Sequence, residues 1–465
     1  MKASAKGRVA SVIIRAMSAK TVRTLGAILL AIALLALLLF ILLQVPMLRD
    51  RVGWRLASIQ AEIKYALSPP DQAVFRPDPT LSTSVASTLS ALTPSPTASP
   101  TQGPTQAAQP SATATATPNP LPQSTILDGV VYVDQHNRWN YCGPANLTMA
   151  LKFWGWPGDR DDVARVVKPG VQNPDLDFIQ RGRYDKNVMP YEMADFVAEE
   201  TEFSVLVRYG GEVEMVKRMI AAGFPVLVEK GYYEADYTGK VAWLGHYLYT
   251  TGYDDDAGEF IVQDAYLEPG KDRRVSYDEY LDGWRSFNYL FMIIYPPDQE
   301  QEVYQALGSW SDPNWASQNA LSLAEQEIET QAGIDLFFAW FNKGTSLVEL
   351  VRYPEAAAAY DTAFAIYAEL DDDDTQRPYR IMWYQTGPYW AYFYSGRYQD
   401  VVNLANTTLN ETIAEPTLEE SLYWRGLARE ALGDTNGAVA DLAESVYLNP
   451  NFDPGQFQLN RILGG

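Results

Sequence analysis

Residues 79–127 contain no charged and no aromatic side chain. They consist mainly of Ser, Thr, Pro, Ala and Gln, and include the alternating run TATATP at residues 113–118. A stretch of this composition cannot bury enough apolar surface to offset the entropy lost on folding, so we expect it to be disordered or partly polyproline II. The chain must therefore fold as separate parts on either side of a linker, which we place at residues 78–125.

An apolar segment precedes this linker. Residues 25–43 are nineteen uncharged and almost entirely aliphatic residues, which at about 1.5 Å per residue can cross a bilayer core. Six Lys and Arg come before the segment and three follow closely, so the positive-inside rule places the N-terminus in the cytoplasm. We predict a cytoplasmic N-terminus at residues 1–24, a single transmembrane helix at 25–45, and folded domains outside the cytoplasm on the cell membrane.

Residues 46–77 are a juxtamembrane segment in this interpretation. Their apolar side chains predict either a short amphipathic helix at the lipid interface or a continuation of the membrane helix. The five apolar residues concerned are Trp54, Leu56, Ile59, Ile63 and Leu67.

Charge divides the chain in the same way. The first 60 residues hold nine of the 36 Lys and Arg but one of the 58 Asp and Glu, which leaves 27 against 57, or −30, for the remainder. Such an acidic exterior argues against nucleic acid as a partner and for a soluble folded body.

Cys142 is the only cysteine, and it lies in the sequence YCGPA at residues 141–145. One cysteine cannot form an intramolecular disulfide, and one cysteine with two histidines, His136 and His246, fits no zinc pattern. We therefore expect no metal and no cofactor. The remaining possibilities are a nucleophilic thiol and a small buried side chain.

The residues after Cys142 predict a helix with this cysteine at or beside its N-cap. Gly143 allows close backbone approach, and Pro144 suits the first helical turn. Apolar residues with one buried face follow, namely Leu147, Ala150, Leu151 and Trp154. A thiol at the N-terminus of a helix faces the positive end of the helix dipole, which favours the reactive thiolate. The position therefore favours a nucleophile.

His246 lies in a predicted β-hairpin. The sequence GHYLYTTGY predicts a strand, DDDAG a turn and EFIVQD the returning strand. If the turn centres near Asp256, Leu248 lies opposite Asp264, and His246 is its diagonal neighbour on the same face. His246 would then accept the thiol proton while Asp264 orients the imidazole. A slip of one residue would separate the two side chains, and a core histidine beside a strand-end aspartate remains the alternative.

Gln135 lies seven positions before the cysteine. Its amide, together with the backbone N–H of Cys142, could stabilise an oxyanion, although an exposed loop glutamine fits the sequence nearly as well. His136 is the rival base, but it lies in a polar loop close to the cysteine in sequence. The acidic run at residues 254–256 lacks the alternating ligand spacing of a calcium loop and predicts a turn.

These residues together resemble a known family. The string YCGPANLTMALKFWG, the segment GFPVLVE and the string GHYLYTTGYDDDAGEFIVQDAY are similar to papain-like cysteine peptidases related to the bacteriocin-processing, double-glycine leader peptidases. The resemblance covers about residues 126–297. It implies Cys142 as nucleophile, His246 as general base, Asp264 as orienting acid and Gln135 as oxyanion donor.

Three features depart from the family pattern. Gln135 is one position farther from the cysteine than is usual, and Tyr141 stands where many members carry an acidic residue. The chain also has no GxxxxGK[ST] phosphate loop, so coupling to ATP-driven export is not implied.

Residues 298–465 predict stacked helices. A tight turn followed by a small-residue helix occurs near Tyr353, Tyr398 and Thr435, spaced by 45 and 37 residues. These segments resemble tetratricopeptide repeats, which bury their faces by stacking and form a concave surface. The surface would dock a protein or peptide, or the helices would only stabilise the neighbouring domain.

The fold class is therefore an α+β papain-like domain plus an all-α helical repeat domain, preceded by one transmembrane helix and a disordered linker. The expected elements of the first domain are strands near Val130, Val205, Val226, Leu248, Ile261 and Ile293 and helices near Ala150, Phe196 and Met215. The functional hypothesis is a membrane-anchored thiol peptidase acting on peptides or proteins. The alternatives are a non-catalytic adaptor that binds partners through the repeats and, with less support, a glycan-binding surface.

Overall fold

The structure is a computed structural model. It describes scattered positions between 24 and 37, and residues 59–79, 120–138, 140–169, 187–235, 241–371, 377–413 and 417–464. The chain divides into two compact units, Met1–Leu67 and Ser68–Gly465. Nearly all of the predicted cytoplasmic segment and most of the predicted linker, residues 80–119, lie outside the described residues.

The described residues of the first unit are helical. They comprise the scattered positions between 24 and 37 and the residues 59–67. Within this described part of the chain, no helix is both long and apolar enough to cross a bilayer, so the transmembrane helix stays a prediction. Residues 59–67 expose Ile59, Ile63 and Leu67, which are three of the apolar residues predicted to lie at a lipid interface.

The second unit contains an antiparallel sheet of seven strands among the described residues. The strands are β1 (Ser124–Ile126), β2 (Ser204–Arg208), β3 (Val226–Ala235), β4 (Val241–Asp254), β5 (Glu259–Gln263), β6 (Arg273–Ser276) and β7 (Phe291–Tyr295). The strand order is β2-β7-β3-β4-β5-β6, and β1 pairs with the end of β4. The long strands β3 and β4 form the centre of the sheet.

Helices cover both faces of this sheet. They are α1 (Cys142–Phe153), α2 (Arg160–Val167), α3 (Pro190–Glu200), α4 (Val213–Ala221), α5 (Tyr277–Arg285) and α6 (Glu300–Leu307). Because side chains alternate along a strand, Tyr247 and Tyr249 of β4 pack with α1, α2 and α3, whereas Leu248 packs with α4, α5 and α6. The result is the predicted combination of a helix carrying Cys142 and a mostly antiparallel sheet.

The expected strand near Val130 is wrong. The first strand is instead the short β1, and residues 127–135 have no regular secondary structure. Gly129 has a φ of 81°, a left-handed conformation that ends an extended segment. The backbone N–H of Leu127 and of Gln135 still donate to Thr251 and Ala265, at 2.9 and 2.8 Å. Val130 therefore lies in a loop whose two ends are hydrogen-bonded to Thr251 and Ala265.

The C-terminal region is helical. Its helices are α7 (Pro313–Thr330), α8 (Gly333–Glu349), α9 (Tyr353–Glu369), α10 (Ile381–Tyr384), α11 (Gly387–Tyr394), α12 (Tyr398–Thr407), α13 (Glu419–Ala431), α14 (Thr435–Leu448) and α15 (Asp453–Leu463). In the described residues, α8–α9, α11–α12 and α13–α14 are hairpins whose turns contain a positive φ at Val351, Gly396 and Gly433. The second helix of each hairpin begins at a residue where the sequence predicted one, an arrangement consistent with repeats.

A segment N-terminal to the linker packs into this helical region. Phe75 is 4% exposed, and its ring meets that of Phe364 edge to face with centroids 5.0 Å apart. The Arg377 guanidinium donates a hydrogen bond to the carbonyl of Asp71 at 3.1 Å. The end of the predicted juxtamembrane segment is thus part of the folded core of the second unit.

Candidate active site

Cys142 is the first residue of α1, and Tyr141 is the N-cap. Cys142 is partly exposed, whereas the next nine residues are buried. A Cβ at Gly143 would lie 3.1 Å from the Cβ of Val188, so only glycine allows the first turn to approach this neighbour without displacement. The local sequence therefore holds the thiol at the accessible, positive end of a buried helix.

Asn146 attaches this first turn to the sheet. Its side-chain N–H₂ donates to the carbonyl of Cys142 at 2.9 Å and to the carbonyl of Tyr247 at 3.0 Å. Tyr247 directly follows His246 in β4. One buried amide therefore connects the backbones of the two residues that carry the thiol and the imidazole.

His246 and Asp264 form a buried pair. The Nε2 atom of His246 lies 2.9 Å from Oδ1 of Asp264, and the two residues are 5% and 4% exposed. Asp264 directly follows β5, where its Oδ1 also accepts the backbone N–H groups of Tyr266 and Leu267 at 2.9 and 3.1 Å. The carboxylate is thus held by the turn after β5 and in turn fixes the imidazole.

The His246 imidazole lies close enough to the Cys142 thiol to lower the pKa of the thiol, and the thiol raises the pKa of the imidazole. Because Nε2 of the ring bonds Asp264, the nitrogen left for the thiol is Nδ1. Cys142, His246 and Asp264 therefore form a continuous chain of thiol, imidazole and carboxylate. These are three of the four residues to which the sequence assigned a role.

The electrostatics of this chain favour charge separation. Burial raises the pKa of Cys142, but the hydrogen bond and the charge of His246 outweigh it, so the thiol pKa falls below its ordinary value. Burial lowers the pKa of His246, yet the Asp264 carboxylate raises it to about 10. Burial also raises the pKa of Asp264, but the imidazolium and the two backbone N–H groups bring it below its ordinary range. These interactions favour a thiolate and imidazolium pair beside a carboxylate.

Two buried side chains near the thiol add to this field. Lys168 is 1% exposed, and its ammonium donates to the carbonyl of Asn140 at 2.9 Å and contributes to the lowered pKa of Cys142. Glu229 is 2% exposed, and burial together with the charge of Cys142 raises its pKa well above the ordinary value. The lysine therefore favours the thiolate, and the raised pKa of Glu229 favours the neutral carboxyl, which does not oppose a charge on the sulfur.

Gln135 and His136 lie on the loop beside Asp264. The backbone N–H of Gln135 donates to the carbonyl of Ala265 at 2.8 Å, and the Oε1 atom of its amide is buried without a hydrogen-bond partner. Nε2 of His136 lies 3.0 Å from the carbonyl of Tyr266. His136 is therefore engaged with this loop, and it is His246 that contacts the thiol.

Aromatic rings surround the His246 imidazole. The Tyr232 ring lies edge-on with its centroid 5.4 Å away, and the Tyr266 ring lies at 6.3 Å. From α10, Tyr384 packs so closely on Gly245 that a Cβ there would lie 2.6 Å from Tyr384 Cδ1. The helical region therefore forms one wall directly next to the imidazole. In the described ranges, no cluster of three or more His, Cys, Asp or Glu side chains could hold a metal.

Asn146, Lys168, Glu229 and Tyr384 were missed by the sequence analysis. Asn146 does have a sequence signal, because a polar amide directly before the largely apolar run LTMAL of a buried helix is unusual. Lys168 and Tyr384 lie 26 and 242 positions from Cys142, and no spacing rule brings them together with it.

Comparison with known proteins agrees with this geometry. Residues 127–292 match the sequence model of the Peptidase_C39-like family, which suggests a cysteine peptidase. The chain is also similar to a crystal structure of a C39-like peptidase from Bacillus anthracis, with 16% identity and a TM-score of 0.28 over 37% of this chain and 96% of that chain. A likeness at this TM-score adds nothing to the assignment. No curated protein matches the chain.

Proposed function

We propose that the chain is a cysteine peptidase in which Cys142, His246 and Asp264 act together. The observation that carries the proposal is the buried His246–Asp264 pair, with Nε2 of His246 2.9 Å from Asp264, next to a thiol whose pKa the imidazole lowers. The match of residues 127–292 to the Peptidase_C39-like family supports it.

The reaction begins with attack of the Cys142 thiolate on the carbonyl carbon of a peptide bond. A C–S bond forms, and the electron pair of the carbonyl moves onto oxygen. When the tetrahedral intermediate collapses, the C–N bond breaks and the His246 imidazolium donates its proton to the leaving amine. The product is an acyl-enzyme thioester and a free amine.

Deacylation reverses these roles. The neutral imidazole accepts a proton from water, whose oxygen attacks the thioester, and the thiolate leaves as the carboxylic acid product departs. Asp264 keeps the imidazole oriented in both halves and stabilises its charged form, because its carboxylate accepts the Nε2–H hydrogen bond.

The oxyanion is stabilised by the backbone N–H of Cys142 at the start of α1, and Gln135 is the second donor. An oxyanion donor of this kind contributes about 3 kcal/mol. Support for Gln135 comes from its place beside Ala265 and from an amide whose oxygen has no partner. The enzyme acts outside the cytoplasm, anchored through residues 25–45, and the helical hairpins position protein or peptide substrates.

The test uses the full chain in a nonionic detergent with a peptide library, and mass spectrometry detects new termini. We expect hydrolysis by the unmodified chain and a loss of about a thousandfold or more in Cys142→Ala. His136→Ala is the matched control, because this second histidine bonds the 264–268 loop and should leave most of the activity.

Two outcomes would reject the proposal. Hydrolysis that persists in Cys142→Ala would assign the activity to another site. No turnover on any peptide, combined with partner capture that survives Cys142→Ala, would favour the non-catalytic adaptor.

A further inference from the structure

A cavity of about 470 Å³ lies against His246 and Asp264. Strands β3 and β4 supply one side, α5 supplies another, and Ile334, Asp335 and Phe338 of α8 close it. Cys142 is not among its described lining residues. The cavity therefore adjoins the His246–Asp264 pair rather than the thiol, and in the proposed reaction His246 is the residue that protonates the leaving amine.

Lys230 is the buried cation of this cavity. It lies directly opposite His246 in the β3–β4 ladder and is 8% exposed. Its stem packs on Gly283 so tightly that a Cβ there would lie 2.5 Å from Lys230 Cε. Among the described residues, no carboxylate lies within 4.0 Å of its ammonium and no hydrogen bond is made to it.

The carboxylates that share the cavity are engaged or lie at its mouth. Asp264 bonds His246 at 2.9 Å, and Asp282 and Asp335 each pair with Arg285 at 3.1 and 3.2 Å. Glu279 is exposed, and Glu234 is half-buried. The Lys230 side chain is largely buried and its ammonium has no paired anion in the described part of the chain, so only solvent in the cavity solvates this charge. An incoming carboxylate would supply that partner.

We propose that Lys230 binds a carboxylate carried by the leaving fragment of the substrate, so that the enzyme prefers peptide bonds within a few residues of such a group. This inference rests on the proposed peptidase function. The volume lies in the range of about 300–1000 Å³ that is usual for small-ligand pockets, and the walls formed by α5 and α8 limit the length of the fragment. The carboxylate is the peptide C-terminus or an acidic side chain.

Binding is tested without turnover on the full Cys142→Ala chain. Calorimetry compares the dipeptide Ala-Ala, its C-terminal amide and the amide of Ala-Glu. We expect at least one of the two carboxylate ligands to bind about tenfold more tightly than Ala-Ala amide, because only these two offer an anion to the Lys230 ammonium; tenfold corresponds to about 1.4 kcal/mol. Tighter binding of Ala-Ala identifies the C-terminus as the source, and tighter binding of Ala-Glu amide identifies the side chain.

Lys230→Met keeps the length of the side chain and removes the charge, so it should abolish the preference. Lys271→Met is the matched control, because Lys271 is exposed and lies outside the cavity. It should bind all three ligands as the parent does.

Turnover is measured separately on the chain that keeps Cys142. One pair of peptide sets differs in having a free or an amidated C-terminus. A second pair, both amidated, differs in having or lacking a glutamate near the scissile bond. Carboxylate-dependent cleavage that disappears in Lys230→Met supports the inference. Equal cleavage of all sets, with equal binding of the three ligands, overturns the inference and leaves the peptidase function standing. Lys230-dependent binding of a carboxylate without cleavage of any peptide supports the site and rejects the peptidase function.

Discussion

At the scale of single residues, the reactivity of Cys142 is a balance between burial and its neighbours. Burial alone would make the thiol an inert, hydrophobic side chain. The His246 imidazole reverses this because Asp264 keeps it protonated, and Lys168 adds a second positive charge. The charge on the sulfur thus depends on residues that are distant in sequence.

We therefore predict that His246→Ala raises the pKa of the Cys142 thiol. A thiol with a lowered pKa keeps its thiolate form at a lower pH than an ordinary thiol does. In the parent chain, alkylation by iodoacetamide should remain fast at pH 7, whereas in His246→Ala it should rise only as the pH approaches the ordinary thiol range of about 8.5. The measurement is the alkylation rate as a function of pH, read by mass spectrometry.

His136→Ala serves as the control for loss of a histidine and should keep the parental profile, because His136 bonds the carbonyl of Tyr266. Identical profiles for His246→Ala and the parent would contradict the assigned electrostatic role. So would slow alkylation of the parent at every pH below 8.

At the scale of elements, the meeting of His246 and Asp264 depends on one bulge. The β4–β5 ladder pairs Asp254 with Glu259, but its register shifts between Thr250 and Gly252. After the shift Tyr249 faces Gln263, so the next position would place Leu248 opposite Asp264. Without the shift, Asp264 would project from the opposite face of the sheet from His246.

The sequence predicted this register from an assumed turn centre near Asp256. The turn is in fact centred half a residue later, and the bulge compensates for the difference. Strand, turn and helix positions follow from local patterns, and most were predictable for that reason. A bulge depends on how whole strands pack and has no comparable local signal. The strand prediction at Val130 was wrong for a related reason. Its residues favour a strand, but they form no hydrogen-bonded ladder with a neighbouring strand.

The attachment of α1 to β4 gives a prediction at the same scale. Asn146→Leu removes the amide that bonds the carbonyls of Cys142 and Tyr247 and leaves the buried Tyr247 carbonyl without this donor. The free energy of unfolding should fall by about 1–3 kcal/mol, and kcat should fall more than KM changes because the thiol is no longer held beside His246. Denaturant unfolding and steady-state kinetics measure the two effects.

Thr148→Val is the matched control on the same helix. The Thr148 hydroxyl donates to the carbonyl of Pro144 at 2.7 Å. The variant therefore loses one buried hydrogen bond within α1, whereas Asn146→Leu loses two, one of which joins α1 to the sheet. The stability of Thr148→Val should fall while kcat stays near the parental value. Equal kinetic losses in the two variants would argue against a positioning role for Asn146.

At the scale of the whole molecule, the described residues on both sides of 80–119 lie on the same compact unit. On one side, the backbone N–H of Asp78 donates to Asp400 at 3.0 Å. On the other, the carbonyl of Gln123 accepts from Asp255 at 2.9 Å, and β1 pairs with β4. Composition alone could indicate a linker, but it could not reveal that the residues before it pack against helices some 300 positions later.

The last prediction concerns the N-terminal part of the chain after the linker is cut. With a site for a specific protease inserted within residues 80–119, cleavage of the detergent-solubilised full chain should leave the fragment ending in the linker bound to the remainder. The two pieces are then held together by non-covalent contacts, so they should co-elute in size-exclusion chromatography under native conditions and separate in denaturant. The contacts of Phe75 with the rings of Phe364 and Tyr392 carry much of this association.

Phe75→Ala should release the fragment after the same cut, because loss of a buried phenylalanine costs about 3–5 kcal/mol. Phe457→Ala is the matched control, since Phe457 is 67% exposed on α15 and its removal leaves the buried contact intact. Release of the fragment from the parent upon cleavage would show that residues 69–79 do not hold it. Equal release of the fragment by Phe75→Ala and Phe457→Ala would contradict the prediction. The association would then not depend on the burial of Phe75 in the helical core.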